Sequence, residues 1–173
     1  MTSICLDIET LDVEDHAVII EMGLVAFSRV DFTIIDRRSI PLDLFEQISR
    51  GRTISSGTID FHRQKDSLPT HFSGMLPLDA LAAMNSFVNL HRPKHVWVQG
   101  PDFDLPKLRS YFHPIGQGLP WDFWRVRDSR TLLDLAFPDV KHAPRPHRAV
   151  PDCESTIRDI AKALLHLNCT AAA

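Results

Sequence analysis

SICLDI at residues 3–8, AVIIEMGLVAFS at 17–28 and DFTIIDRRSI at 31–40 are three apolar runs in quick succession. Val, Ile, Leu and Phe dominate them, which is the composition of half-buried or buried strands. Only a few residues around Arg29-Val30-Asp31 join the second run to the third, so an antiparallel hairpin is the natural pairing. Pro41 closes the third run. Beyond it, 42–49 suits a helical turn, and a short helix near 57–65 is expected inside a longer connection. Apolar residues Leu78, Leu81, Ala82, Met84, Phe87, Val88 and Leu90 approximate a helical stripe, begun by Pro77 and closed by Pro93. HVWVQG at 95–100 reads as a compact strand stopped by Gly100-Pro101. A helix follows over 102–112, with Pro106 tolerable only in its first turn. After Trp121, Phe123 and Trp124, a strand is expected near 125–128 and a helix over 129–137.

Pro138 to Pro151 is a loop holding four of the twelve prolines, and the last helix is expected over 152–167. Residues 168–173 read as a frayed tail. The order is β-β-β, then α-β-α, then β-α-α: a mixed α/β sheet with helices on both faces. No repeat and no second domain is evident, so 1–173 reads as one domain with its core over about 4–167.

A chain of 173 residues, 44% hydrophobic and 24% charged, can bury a core without disulfide or metal staples. Its three cysteines, at 5, 153 and 169, form no C-x-x-C pair, which speaks against a zinc ribbon or a thioredoxin motif. Reduced thiols fit them better. No basic leader and no long apolar run is present, so neither a signal peptide nor a membrane span is expected, and a cytoplasmic protein is the default. Nineteen Lys and Arg against 22 Asp and Glu give a net charge of −3, which excludes a strongly basic nucleic-acid-binding domain.

Three groups of residues carry chemistry. Asp7-Ile8-Glu9 places two carboxylates on one face of the first strand, since positions i and i+2 point the same way. They repel each other and are costly to bury. A hard divalent cation such as Mg²⁺ or Mn²⁺ removes both penalties, while a solvated strand end is the alternative. Asp102-Phe103-Asp104 follows a strand, where open α/β sheets place their sites; alone, the two acids read better as helix-capping residues. His147 lies in the Pro-rich loop, and Asp152 opens the last helix, where it is placed to cap it. A loop histidine is usually surface, yet beside a metal-binding carboxylate its near-neutral pKa makes it a proton acceptor.

Each signal is weak alone, but the ordered set D-x-E, F-D and H-x4-D resembles the DEDDh group of 3′→5′ exonucleases, which share an RNase H-like fold. The matching positions are Asp7 and Glu9, Asp104, and His147 with Asp152. Ile20-Glu21-Met22-Gly23, the stretch Val96–Leu108 (VWVQGPDFDLPKL) and Arg127–Ala136 (RDSRTLLDLA) are similar to the phage and prophage branch of exoribonuclease T-like and exonuclease VIII-like proteins. The resemblance spans Ile4 to about Leu165. It implies a mixed five-stranded sheet with three antiparallel N-terminal strands and later strands parallel to the first. Two departures stand out: Gln99 where many relatives carry Asn, and Phe61-His62 where relatives often carry paired aromatics.

The resemblance implies two-metal hydrolysis at the 3′ end of single-stranded DNA or RNA, releasing nucleoside 5′-monophosphates. Two divalent ions, Mg²⁺ or Mn²⁺, would be held by Asp7, Glu9, Asp104 and Asp152, with Asp7 bridging them. His147 would act as general base, swinging in with substrate. Substrate contacts would come from Thr10, from Leu11 as a wedge at the terminal base, and from Phe61, His62 and Phe103 as stackers. Trp97, inside a strand, suits the core better. Arg127, Arg130, Arg145 and Arg148 are phosphate candidates, each with a solvated surface arginine as the alternative; Asp128 and Arg130 also suit a structural pair. Relatives are often dimers, so a homodimer is within the family's range. A catalytically silent nucleic-acid-binding domain is disfavoured by the complete acid set, and an RNase H-like endonuclease by the H-x4-D spacing. A small-molecule phosphodiesterase on the same scaffold is the remaining alternative.

The distribution of charge then revises the reading of its total. Residues 125–148 carry +3 and the rest of the chain −6. Four of the acids are the implied metal ligands, and two divalent ions would bring the whole near +1.

Overall fold

The structure, a computed structural model, describes residues 1–70, 72–139 and 145–171. Five strands form one sheet: β1 (Thr2–Thr10), β2 (Ile19–Ser28), β3 (Ile34–Pro41), β4 (Val96–Val98) and β5 (Val126–Asp128), in the order β3-β2-β1-β4-β5. β1, β2 and β3 pair antiparallel, while β4 and β5 run parallel to β1. Among the described residues there are six α-helices: α1 (Leu44–Ser49), α2 (Ser56–Gln64), α3 (Pro77–His91), α4 (Pro101–Phe112), α5 (Ser129–Ala136) and α6 (Ala149–Ala171). Single 3₁₀ turns at His113–Ile115 and Phe123–Arg125 were not expected from the sequence.

Strand alternation sorts β1 into two faces. Ile4, Leu6 and Ile8 join Met22, Leu24 and Ala26 of β2 and Val96 and Val98 of β4 under α3 and α4, with Met84, Phe87, Leu108 and Phe112 as the filling. Cys5 points the other way, with Val25, Phe27 and Trp97, against Cys153, Ile157 and Ile160 of α6. Full burial contributes roughly 1.5–3 kcal/mol for each such large side chain. Asp7 and Glu9 share the Cys5 face, so the same alternation that builds the second core carries two carboxylates toward the start of α6.

Local chemistry explains most boundaries. Pro77 and Pro101 stand at the first helical positions, where a missing N–H costs nothing. α3 stops at Arg92, which takes a left-handed backbone (φ 44°) and returns its N–H to the Val88 carbonyl, with Pro93 behind it. Asp128 caps α5, accepting from Arg130 N at 3.0 Å and Thr131 N at 3.3 Å.

Four expectations are corrected. Pro106 sits in the interior of α4, because that helix already begins at Pro101; the Asp102 carbonyl loses its partner there. Asp102 is exposed and not the cap, since Gly100 (φ 81°) holds that position. α6 begins three residues before Asp152, so Asp152 lies in its first turn rather than opening it. α6 also runs on to Ala171 instead of fraying from 168. Of the Pro-rich loop, 140–144 lie outside the described residues, Lys141 of the basic segment among them, as do 172–173 of the tail. Among the described residues no helix is long and apolar enough to cross a membrane.

Candidate active site

Three elements bring the carboxyls together at the C-terminal end of β1. β4 is only three residues long and pairs β1 at Ile4 and Cys5, so the Ile8 N–H lies beyond its end. The Asp104 carboxylate, from the first turn of α4, accepts that N–H at 3.2 Å. The start of α4 is itself tied down: Gly100 N donates to Asp128 Oδ1 at 3.0 Å.

Asp152 arrives from the opposite direction. α6 lies so close to β2 that a Cβ on Gly23 would stand 2.5 Å from the Ala149 carbonyl carbon. Gly23 pairs with Asp7 across the sheet, so glycine at this register position sets how near Asp152 comes to the β1 acids. Two residues earlier, Glu21 Oε1 accepts the Ala149 N–H at 2.9 Å, and its Oε2 accepts from Ser39 at 2.9 Å. A strand side chain thus caps the helix, which is why Asp152 need not. Sequence reasoning noticed Ile20–Gly23 without seeing this role. Its signal was the spacing E-x-G on the strand that pairs with D-x-E.

The resulting cleft, about 570 Å³, is lined by Asp7, Glu9, Asp104, His147 and Asp152 together with Gln99 and several of the expected substrate contacts. The carboxyls crowd one another. Burial, then Asp104, Glu9 and Asp152, push Asp7 well above the usual range. Burial and Asp152 push Glu9 up to about 8. Burial raises Asp104 to about 7 against the pull of the Ile8 N–H and Lys107, and burial also raises Asp152. Glu9 and Asp152 stand close enough for each to shift the other's pKa. Asp152 Oδ1 is buried with no hydrogen-bond partner. Glu9, His147 and Asp152 each offer a ligand atom within 4.8 Å of the others. Oxygen donors in mutual repulsion, one of them orphaned, fit hard divalent cations.

His147 takes a left-handed backbone (φ 54°), and its ring packs edge-on against Phe61 with centroids 4.6 Å apart. Burial, then Lys65 and His62, hold its pKa below the ordinary value, so the imidazole is neutral and able to accept a proton.

The other expected contacts divide. Phe61 and Phe103 are exposed on the cleft wall, and Arg130 lies there with its guanidinium against Gly100. Arg145 also lines the cleft, paired to Asp159 at 3.0 Å and donating to the Asp152 carbonyl at 3.3 Å. Thr10 lines it too, but its hydroxyl is spent on the Asp12 carbonyl at 2.7 Å. His62 is buried, with one ring nitrogen 2.8 Å from the Thr10 carbonyl and the other 2.8 Å from Ser67, so it braces α2 against β1 and does not stack. Leu11 packs with Val18 and Leu44 away from the cleft, because the register shift after Glu9 ends the alternation of β1. Arg127 donates to the Trp124 and Val126 carbonyls and stays outside the cleft. Arg148 lines a smaller depression of about 140 Å³ that shares Glu9 and His147. Asp128 bonds the Arg130 backbone rather than its side chain. Trp97 is core, as expected.

Comparison with known proteins places this geometry. In fold the chain is similar to E. coli Exonuclease I in complex with a dT13 oligonucleotide, at 14% identity and TM-score 0.65, covering 95% of this chain and 40% of that one. The zinc-bound E. coli Exonuclease I complex with single-stranded DNA is similar to the same degree, at 14% identity and TM-score 0.65 over 94% and 40%. S. pombe Pop2p in its Mg²⁺- and Mn²⁺-bound form aligns at 12% identity and TM-score 0.63 over 92% of this chain and 81% of that one. The chain spans about two-fifths of the length of the Exonuclease I chains. No curated protein sequence matches. The family model described as 3'-5' exoribonuclease Rv2179c-like domain matches residues 2–166, nearly the whole chain. With the family model spanning β1 to α6, the chain belongs to the 3'-5' exoribonuclease Rv2179c-like domains, 3′→5′ exonucleases of RNase H-like fold.

Proposed function

We propose that the protein releases nucleoside 5′-monophosphates from the 3′ end of single-stranded nucleic acid, RNA first among them, by two-metal-ion hydrolysis. The observation that carries this is the meeting of Asp7, Glu9, Asp104 and Asp152, from three separate elements, with the buried Asp152 Oδ1 lacking a hydrogen-bond partner. Asp7, Glu9, Asp104 and Asp152 would hold the two divalent cations, Mg²⁺ or Mn²⁺. Bound there, the cations supply charge stabilisation to the attacking and leaving oxygens of an in-line displacement. His147, neutral and beside Glu9 and Asp152, takes the proton of the attacking water. Phe61 and Phe103 offer ring surface to bases, and Arg130 and Arg145 offer guanidiniums to phosphates. The family's exoribonuclease description favours RNA over DNA as substrate.

The test is a 5′-labelled single-stranded RNA and the matched DNA, incubated with Mg²⁺ or Mn²⁺ beside the Asp7→Ala variant. A ladder that shortens from the 3′ end, absent in the variant and with chelator, is the expected result. Internal cuts on a 3′-blocked strand would point to an endonuclease instead. Binding without cleavage would leave a silent nucleic-acid-binding domain.

A further inference from the structure

Lys107 is among the most completely buried side chains of the protein, at 1% exposure. Burying an ammonium is costly, and an apolar residue would fill the same space without that cost. What it meets at short range is Phe103, twice. Its Nζ lies 3.5 Å from the centre of the Phe103 ring and donates to the Phe103 carbonyl at 3.2 Å. The two residues stand one turn apart on α4, the spacing that puts side chains side by side on a helix. Burial lowers the Lys107 pKa against the opposing pull of Asp15, Asp104, Glu14 and Asp12.

Phe103 is 41% exposed and lines the cleft next to Asp104. A ring in the first turn of a helix, exposed to solvent, ordinarily samples several rotamers. Here a cation seated over it, itself anchored to the same residue's carbonyl, favours one of them. A surface fixed before substrate arrives loses less freedom when a base settles on it. We propose, resting on the exonuclease reading above, that Lys107 is a positioning residue that fixes Phe103 as a platform for a base near the reacting 3′ end. Such a platform reads the presence of a base rather than its identity, because every base has a π-face.

The experiment compares two RNA oligomers of one sequence, with a normal and an abasic 3′-terminal residue, in steady-state hydrolysis with Mn²⁺. The wild type is expected to show a KM roughly tenfold or more lower for the base-bearing end, the usual worth of one stacked base. Phe103→Ala abolishes that preference. Lys107→Met narrows the ratio of the two KM values several-fold, by raising KM for the base-bearing strand more than for the abasic one, and Lys107→Arg restores the preference. A Lys107→Met variant that loses activity equally on both strands overturns the platform, since its charge then serves the fold or the acid cluster. So does a wild type indifferent to the abasic end. A wild type that shortens neither strand overturns the exonuclease reading itself, a result distinct from the other two.

Discussion

Burial raises the pKa of Asp7, Glu9, Asp104 and Asp152 in the cleft, and neighbouring acids raise Asp7 and Glu9 further. Between the ordinary glutamate value of 4.5 and about 8, folded Glu9 keeps a proton that the unfolded chain has lost. The folded state binds more protons in that window, so stability of the metal-free protein falls as pH rises through it. Asp7, Asp104 and Asp152 act in the same direction. Thermal unfolding without divalent ions should therefore show Tm declining from pH 5 to pH 8, with Mn²⁺ restoring it most at pH 8. Glu9→Gln should flatten the decline; an unchanged slope would remove the acid cluster as its cause. For His147→Ala, a fall in kcat of about 10²–10⁴-fold is expected, the range of a lost general base. Calorimetric titration with Mn²⁺ then separates the roles, since a base leaves cation affinity intact and a ligand does not. That these five residues meet in one cleft was legible from their types and their order along the chain. The directions of the Leu11, His62 and Arg127 side chains were not, because each is settled by a nearby backbone irregularity or hydrogen bond that no motif announces: the shift after Glu9, the Ser67 hydroxyl, and the Trp124 carbonyl.

At the scale of elements, the site depends on how closely α6 lies against β2. Gly23→Ala would drive a methyl into the Ala149 and Val150 backbone at 2.5–2.7 Å, and backbone cannot rotate aside. The expected cost is about 1–3 kcal/mol of stability, read by denaturant unfolding. Activity should fall further than stability does, because Asp152 retreats with the helix. Glu21→Ala leaves the Ala149 N–H without its cap and should cost about 0.5–2 kcal/mol, as other lost caps do. Full activity in a Gly23→Ala protein that remains folded would show that helix placement is not limiting. The elements themselves were readable from periodicity and proline, with ends displaced by a few residues. The displacement of α6 has a physical reason: its cap comes from Glu21 on β2, 128 positions earlier, and no local pattern announces it.

For the molecule as a whole, the formal charge of −3 describes the protein without metal. Two divalent cations would take it to about +1 and would reverse the field in the cleft, where the acids cluster between Arg130 and Arg145. Affinity for a labelled single strand, measured by anisotropy with a non-catalytic divalent ion, should exceed that in chelator by at least about tenfold at low salt, and the gap should narrow as salt screens it. Equal affinity in both would separate strand binding from metal binding. The order of the ligands along the chain also has a consequence for biosynthesis. Synthesis at about 5–20 residues per second puts roughly 7–30 s between the making of Asp7 and the making of Asp152. Throughout that interval the chain lacks the complete acid set. The acid set is complete only when α6, the last element made, seats on Gly23.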